Sequence, residues 1–175
     1  MNCKIGWKKL DENAIIPTKT EAAAGFDVYT LEPYTLILPH EQHLFSTGLG
    51  VVLDDNFWLM AFDRGSTGSK GLHIHCGVID SDYRGEIFIC IKNDNNYPVI
   101  FTDAVTNSYI EDNAAFEYRG EFYNKVLYYP VSKAIAQLIA VEKPQYDCCE
   151  VTDEEWEDSI KYSLRKAGKL GSSGK

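Results

Sequence analysis

The sequence predicts an all-β fold, a jelly-roll-like β-sandwich or barrel, from three observations. The chain has 175 residues, which suits one domain with a substantial core. Runs rich in β-branched and aromatic residues recur at close spacing, and glycine or proline residues separate many of them. No amphipathic helical pattern stands between these runs, which favours a sandwich or barrel over an alternating α/β fold.

Nine runs carry the strand pattern. In the clearest one, Ile87, Ile89 and Ile91 alternate with Phe88 and Cys90, so that the two sets face opposite sides of a strand. The runs are residues 23–30, 34–39, 43–53, 58–62, 72–79, 86–93, 98–102, 125–131 and 134–142.

One stretch interrupts this rhythm. Residues 103–124 are polar and aromatic without a clean period, which indicates an insert between two strands. We bound this short insert at about residues 97–130.

The end of the chain has a different character. Thr152 stands three residues before Glu155, which is a capping-box pattern, and acidic residues crowd the first turn, as the helix dipole favours. A short helix over residues 152–160 follows from this pattern, and the basic, Gly/Ser-rich residues after it are typical of a flexible arm. We therefore expect a β domain over residues 1–151, then a short helix and C-terminal arm over residues 152–175.

Composition excludes several classes of function. The net charge of −9 argues against broad nucleic-acid binding, and no apolar run reaches membrane-spanning length. The N-terminus lacks a signal-peptide profile. Five cysteines without a CxxC spacing indicate reduced thiols, so we expect a cytosolic protein. His73 and His75 share one strand face and could ligate a metal, but His40 and His43 lie far away in sequence and no HExxH spacing exists, so structural roles are favoured.

Residues 77–86, GVIDSDYRGE, concentrate charge between apolar runs. We interpret them as a β-hairpin with a strand to Ile79, a turn at residues 81–82 and a second strand from Glu86. Asp80 then ends a strand among apolar neighbours, which would hold its carboxylate in place as a general base for water. The alternative is that Asp80 simply forms the turn, since aspartate is a favoured turn residue.

Two further segments suit phosphate oxygens. Residues 63–72, DRGSTGSKGL, combine backbone N–H groups, hydroxyls and two cations, although the spacing is not that of a Walker A loop. The segment RKAGKLGSSG at residues 165–174 has the same composition. An ordinary surface turn and a disordered tail are the respective alternatives.

The order of these segments is more specific than any one of them. AAGFDVYT, DRGSTGSKGL, GVIDSDYRGE, KAIAQLI and RKAGKLGSSG follow each other as do the five motifs of the trimeric dUTP pyrophosphatase (dUTPase) family, which the chain resembles. The resemblance runs from about Ala23 to Gly174. It implies a jelly-roll subunit, a homotrimer with shared active sites, and Mg²⁺-assisted hydrolysis of dUTP to dUMP and pyrophosphate. Such an activity lowers dUTP and supplies dUMP for thymidylate synthesis.

The resemblance also implies roles for individual residues. Asp80 activates the water that attacks the α-phosphorus, and Tyr83 lies under the deoxyribose and leaves no space for a 2′-hydroxyl. Main-chain groups of Gly77 and Phe88 read uracil. Asp27 holds Mg²⁺ through water.

Phosphate contacts carry over from the same resemblance. Arg64 and Gln137 contact the phosphate chain, and Ser66 supplies a hydroxyl near the leaving oxygen, with Thr67 as its rival. The γ-phosphate contacts fall on three residues of the C-terminal arm, Arg165, Ser172 and Ser173.

The sequence departs from the family pattern in places. Gly65 stands where serine is usual, and Ser132 and Ala134 replace a glycine and an arginine of the fourth motif. Lys133 is a candidate for the missing charge. Leu170 replaces the phenylalanine that stacks over uracil, so we expect weaker closure of the arm.

Two other functions stay open. A dCTP deaminase shares the fold and the triphosphate chemistry, and a non-catalytic dUTP-binding regulator would keep the fold alone. The insert resembles that of some bacteriophage-type dUTPases, in which it helps bind host regulatory proteins. It is therefore a candidate surface for a protein partner, and the host cytosol is the expected location if a phage encodes the chain.

Overall fold

The computed structural model describes residues 4–75, 77–106, 110–112 and 115–163 of the chain. The chain divides into two compact units, Met1–Lys143 and Pro144–Lys175. The first unit contains every strand described below and a one-turn helix, and the second contains a ten-residue helix. The predicted all-β class is therefore confirmed.

The elements occur in the following order. The strands are β1 Ile5–Lys9, β2 Phe26–Val28, β3 Tyr34–Ile37, β4 Gln42–Ser46, β5 Leu49–Leu53, β6 Phe57–Phe62, β7 Leu72–His75, β8 Val78–Ile79, β9 Phe88–Asn93, β10 Val99–Thr102, β11 Ile110–Asp112, β12 Phe116–Tyr118, β13 Glu121–Tyr123, β14 Val126–Pro130 and β15 Ala136–Glu142. Helix α1 is Gly65–Gly68, between β6 and β7, and helix α2 is Asp153–Tyr162.

Three sheets carry most of the first unit. Their strand orders are β11-β14-β10-β3, β2-β15-β6-β8 and β4-β9-β7, and β1 pairs with β5 in a separate ribbon. Within them, β10 and β14 run parallel, whereas the other pairs are antiparallel.

One hydrophobic core joins these sheets. Phe45, Phe101 and Tyr129 are fully buried and pack in series, with ring centroids 4.6 Å apart at each step; the first pair is tilted and the second is stacked. Burying one aromatic side chain of this size stabilises a fold by about 1.5–3 kcal/mol. Ile89 and Ile91 face this core while Phe88 stays 40% exposed, as the alternation predicts.

Two of the predicted runs break into separate strands. The run at residues 43–53 divides at Gly48, whose φ of +64° favours glycine, into β4 and β5. The run at residues 72–79 divides into β7 and β8, which belong to different sheets.

The predicted hairpin at residues 77–86 is wrong. Strand β8 pairs with β6, whereas β9 pairs with β4 and β7, so the segment between β8 and β9 crosses from one sheet to another. We call residues 80–87 the crossover loop. The period-two pattern of the flanking strands is the same in both arrangements, because it does not report which neighbour a strand pairs with.

The insert leaves the β10–β14 pair and returns to it. Strand β11 adds to the edge of β14, and β12 and β13 form a hairpin closed by Arg119 and Gly120, both with positive φ. Phe122, on this hairpin, is 71% exposed.

The helix predicted at residues 152–160 is confirmed as α2. Thr152 Oγ1 accepts from the Glu155 amide at 3.2 Å, and the Glu155 carboxylate accepts from the Thr152 amide at 2.8 Å. That backbone hydrogen bond lowers the pKa of Glu155. Neither helix of the described chain has the length and apolar character needed to cross a membrane.

Candidate active site

A polar pocket of about 480 Å³ lies where three neighbouring strands end. The register of β2, β15 and β6 places Asp27, Gln137 and Phe62 side by side, and the chain leaving β6 reaches Arg64 two residues later. The pocket is lined by Thr18, Lys19, Thr20, Ala23, Gly25, Asp27, Arg64, Gly65, Ser66 and Gln137. It therefore brings together four residues predicted from the sequence, Asp27, Arg64, Ser66 and Gln137.

Arg64 is held in the pocket by a bidentate ion pair. Its Nε donates to Asp27 Oδ1 at 2.9 Å, and its Nη2 donates to Asp27 Oδ2 at 3.1 Å. Its Nη1 donates to the Ala134 carbonyl at 3.2 Å and to Ser66 Oγ at 3.3 Å. Such a fork fixes the guanidinium plane, and the two charges of the pair balance each other.

Helix α1 separates the two hydroxyls that the sequence left as rivals. Thr67 is fully buried, and its Oγ1 accepts from the Arg64 amide at 2.8 Å and donates to the Arg64 carbonyl at 2.8 Å. Ser66 lines the pocket instead. The Thr67 hydroxyl is thus engaged in closing the turn, whereas that of Ser66 faces the pocket.

Gln137 is positioned from both sides. Its Nε2 donates to the Asp63 carbonyl at 2.8 Å, and Gly25 lies so close that an added Cβ would be 3.2 Å from the Gln137 side chain. The Asp63 carboxylate is itself held by the Ile74 amide at 2.6 Å and by His73 Nδ1 at 2.9 Å. His73 therefore has a structural role, as expected.

Lys19 lines this pocket without having been predicted. Its Nζ donates to the Ala23 carbonyl at 3.0 Å and lies 5.7 Å from the centroid of the Phe26 ring. No carboxylate of the described chain forms an ion pair with it. The only signal in the sequence is its position, four residues before the AAGFDV segment.

A second, smaller pocket of about 250 Å³ lies against the crossover loop. We call it the crossover pocket, and it is lined by Leu44, Val78, Ile79, Asp80, Tyr83, Glu86, Ile87 and Phe88. It shares no residue with the polar pocket.

Asp80 is exposed at the edge of the crossover pocket. Its backbone carbonyl accepts from the Tyr83 amide at 3.1 Å, and Ile79 before it is buried, so its backbone is fixed. Among the described residues, however, no group donates a hydrogen bond to its carboxylate. The prediction that apolar neighbours hold the carboxylate in place is therefore wrong, because only the backbone of Asp80 is fixed and its carboxylate lone pairs remain open.

Tyr83 folds back over its own loop. Its hydroxyl donates to the Glu86 carbonyl at 2.8 Å, and the ring covers Gly85 so closely that an added Cβ would lie 2.6 Å from the hydroxyl oxygen. Residue 85 must therefore lack a side chain for the ring to lie there.

Phe88 and Gly77, predicted to act together, lie on different pockets. Phe88 lines the crossover pocket, whereas Gly77 lines a third cavity of about 290 Å³ beside Ala61. The Gly77 carbonyl accepts from the Ala61 amide at 2.8 Å. Gly77 directly precedes β8 and Phe88 begins β9, and these two strands belong to different sheets.

The sequence analysis also named residues of the C-terminal arm and Lys133. Arg165, Ser172 and Ser173, with Leu170, lie outside the described residues. Lys133 is described but does not line the polar pocket. In the described ranges, no group of three or more His, Cys, Asp or Glu residues is arranged to hold a metal ion.

Two of the other histidines, His40 and His43, are also hydrogen-bonded within the fold. His43 Nε2 lies 2.7 Å from Glu32 Oε2, and His40 Nε2 lies 3.1 Å from Asn96 Oδ1. On its second side, His73 Nε2 is 3.8 Å from Asp94, and the hydrogen bond from Lys92 lowers the pKa of that carboxyl.

Together, the fold and the two pockets define an all-β protein with a polar pocket built on an arginine–aspartate ion pair and a separate pocket that presents an open carboxylate. Residues 11–104 match the family model described as dUTPase. The chain belongs to the dUTPase family.

Individual relatives agree with this assignment. The chain is 32% identical over 176 residues to the deoxyuridine 5′-triphosphate nucleotidohydrolase of Nautilia profundicola, a match that covers 98% of this chain and 99% of the relative. A structure of the Staphylococcus bacteriophage 80alpha dUTPase with dUpNHpp aligns with a TM-score of 0.67 at 24% identity, over 98% of this chain and 99% of that one. A mutant dUTPase of phage phi11 of S. aureus, whose structure describes a structural Mg(II) ion, aligns with a TM-score of 0.65 at 23% identity, over 86% and 97% of the two chains. At these identities the two structures support the fold alone.

Proposed function

We propose that this chain is a dUTP diphosphatase, which hydrolyses dUTP to dUMP and pyrophosphate. The observation that carries the proposal is the contrast between its two carboxylates. Asp27 is paired with Arg64 in a polar pocket suited to phosphate, and Asp80 stands open beside a tyrosine ring. Membership of the dUTPase family and the full-length likeness to a deoxyuridine triphosphate nucleotidohydrolase support the same conclusion.

The polar pocket would take the triphosphate. Arg64 offers guanidinium donors in a fixed plane, Ser66 offers a hydroxyl, and Gln137 lies beside both. By resemblance to the family, Arg165, Ser172 and Ser173 would contact the γ-phosphate.

The crossover pocket would take the nucleoside. The Tyr83 ring, fixed over Gly85, would exclude a 2′-hydroxyl, which is specificity by steric exclusion. Main-chain groups at Phe88 would read uracil. Gly77 has the same proposed role, for which its carbonyl would have to bind uracil in addition to the Ala61 amide.

Asp80 would act as the general base. A water oxygen attacks the α-phosphorus, its proton passes to the Asp80 carboxylate, and the bond from the α-phosphorus to the α,β-bridging oxygen breaks. Pyrophosphate leaves with that oxygen. An open carboxylate suits this step, because a base must have a free lone pair for the proton.

Mg²⁺ is the proposed cofactor, and Asp27 would hold it through water. Among the described residues, Asp27 is the one carboxylate that lines the polar pocket, and both of its oxygens bond Arg64. Each oxygen retains a lone pair for a metal-bound water. Mg²⁺ keeps several waters and binds with substrate phosphates, so this donor set fits an ion that arrives with the nucleotide. When bound, the ion neutralises triphosphate charge.

We further propose a homotrimer with shared active sites, in which one subunit's crossover pocket meets another's polar pocket. The two pockets share no residue, and the crossover pocket carries apolar side chains in the open, with Val78 64% exposed. Light scattering on the full chain should give three times the monomer mass. A monomer with full activity would refute the shared site.

The insert and the location complete the proposal. Phe122 on the β12–β13 hairpin is a candidate contact for a protein partner, and Phe122→Ser should leave dUTP turnover unchanged while weakening that contact. Cys148 and Cys149 are exposed free thiols, which suits a reducing cytosol.

The first test is pyrophosphate release with Mg²⁺ from dUTP, UTP, dTTP and dCTP. Release from dUTP alone, lost in Asp80→Asn, supports the proposal. Ammonia release from dCTP would make the chain a dCTP deaminase. Tight dUTP binding without turnover would make it a non-catalytic regulator.

A further inference from the structure

The crossover loop is tied down by one side chain that the proposed chemistry does not use. Glu86 Oε1 accepts from Ser46 Oγ at 2.5 Å and from the Gly48 amide at 2.8 Å. Both donors lie about forty residues earlier, where β4 ends and the chain turns into β5, so these hydrogen bonds join two distant parts of the chain.

The next residue is fixed to the same turn. The Ile87 amide donates to the Leu49 carbonyl at 2.8 Å, and Thr47 Oγ1 donates to the Ile87 carbonyl at 2.5 Å. The far end of the crossover loop is thus bonded to the β4–β5 turn by both side-chain and backbone groups.

Tyr83 is attached to this fixed point. Its hydroxyl donates to the backbone carbonyl of Glu86, whose own side chain makes the two hydrogen bonds to the turn. The ring therefore takes its position from the Glu86 backbone.

We propose that Glu86 is a positioning residue that sets the preference for deoxyribose over ribose through Tyr83. This inference rests on the proposed function, in which Tyr83 excludes the 2′-hydroxyl. Steric exclusion of one oxygen atom requires the ring to be held to within about 0.5 Å. A loop released at Glu86 would let the ring move aside and admit UTP.

The backbone of Ser46 is itself held in place by Glu32. The Ser46 amide donates to Glu32 Oε1 at 3.1 Å, and Glu32 Oε2 is bonded by Thr35 Oγ1 at 2.6 Å and by His43. Ser46 therefore presents its hydroxyl to Glu86 from a braced backbone, and a serine-to-alanine change removes one donor with little loss of volume.

The experiment compares dUTP with UTP in the full chain. We measure the ratio of kcat/KM for dUTP to kcat/KM for UTP, and the ratio of the two dissociation constants. The proteins are wild type, Glu86→Ala, Glu86→Gln, Ser46→Ala and Tyr83→Ala, with Asp82→Ala as a control in the same loop. Glutamine keeps an oxygen that can accept from Ser46 and Gly48, so Glu86→Gln should retain the wild-type ratio. Glu86→Ala should lower the ratio by about tenfold or more, the size of losing a hydrogen bond to a charged group, and Tyr83→Ala should lower it at least as much.

A role in stability alone would lower the melting temperature of Glu86→Ala and leave the ratio unchanged, which would overturn the inference. If Glu86→Ala fails to fold, Ser46→Ala is used in its place. We expect Ser46→Ala to lower the preference for dUTP over UTP by a smaller factor. An unchanged ratio in this variant would contradict the inference. If Tyr83→Ala keeps the wild-type ratio, both the role of Tyr83 and this inference are wrong. If wild type hydrolyses neither nucleotide, the proposed activity fails, and the ratio of dissociation constants still tests Glu86.

Discussion

The polar pocket and the crossover pocket are built in opposite ways. In the polar pocket the functional groups bond one another, since Arg64 holds Asp27 at two points and the neighbouring Gln137 is anchored to the Asp63 carbonyl. In the crossover pocket the backbone is fixed while the carboxylate of Asp80 stays open and apolar side chains remain exposed.

The difference follows from where each pocket lies in the fold. The polar pocket forms at the ends of three strands in register, where cross-strand neighbours can bond each other. The crossover pocket forms where the chain leaves one sheet for another, and its loop residues, Asp80, Tyr83, Glu86 and Ile87, lie outside the described strands. We infer that the first pocket is arranged before substrate binds, whereas the second is completed by substrate and, in the proposed trimer, by a neighbouring subunit.

The largest effect should come from the open carboxylate. Asp80→Asn removes the proposed base but keeps the shape of the side chain, so kcat should fall about 10²- to 10⁴-fold with KM little changed. Asp82→Asn, in the exposed turn two residues on, is the matched control and should stay near wild type. Single-turnover pyrophosphate release measures the loss of rate in both variants. Equal losses in the two variants would mean that the loop, and not the base, had been damaged.

Because Arg64 is paired with the Asp27 carboxylate, its substitution should have a smaller effect on activity than that of Asp80. Lysine keeps the charge but cannot form the two-point fork to Asp27, so Arg64→Lys should lower kcat/KM by roughly 10- to 100-fold. Arg119→Lys, on the exposed turn of the insert hairpin, controls for the loss of any arginine.

A double-mutant cycle sharpens this result. If Asp27 and Arg64 act as one unit, Arg64→Lys combined with Asp27→Asn should cost much less than the product of the two single effects. Independent, multiplicative losses would show that the pocket is not prearranged by the ion pair.

Local features of the fold could be predicted from the sequence. The alternation of Ile87, Ile89 and Ile91 identifies a strand and its core face, and the Thr152–Glu155 pattern identifies the start of α2, because both depend on neighbours a few residues apart. The order of motifs likewise locates Asp27, Arg64, Ser66 and Gln137, which the structure brings into one pocket.

The partners of each strand could not be predicted in the same way. The sequence pattern predicts a hairpin at the crossover loop, because alternation is identical whether a strand pairs with its successor or with a distant strand. The family resemblance groups Gly77 with Phe88, whereas in the structure Gly77 precedes β8 and Phe88 begins β9, which belongs to another sheet. The Glu86–Ser46 hydrogen bond spans 40 residues, and no local pattern marks it.

The dependence of activity on Mg²⁺ should also differ between variants of the two pockets. Asparagine at position 27 loses the charge that would hold metal-bound water, so Asp27→Asn should raise the Mg²⁺ concentration for half-maximal activity about tenfold. Asp80→Asn should leave that concentration unchanged, because Asp80 lies in the other pocket. Residual activity titrated against Mg²⁺ gives both values. A shift of the same size in Asp80→Asn would place the ion at the crossover pocket.

The smallest effect should come from Lys19, the residue that sequence reasoning missed. Because Asp27 and Arg64 balance each other, Lys19 supplies the positive charge that the lining of the polar pocket leaves unbalanced. Lys19→Met should raise KM for dUTP about three- to tenfold with kcat unchanged. The reason is that the lost interaction joins an exposed ammonium group to the triphosphate. Its effect should shrink as salt rises, because ions screen exposed charges. Lys8→Met, on the exposed side of β1, is the matched control. A KM unaffected by Lys19→Met at low salt would mean that the Arg64–Asp27 pair must open to receive the phosphates, and that the polar pocket is less prearranged than its hydrogen bonds indicate.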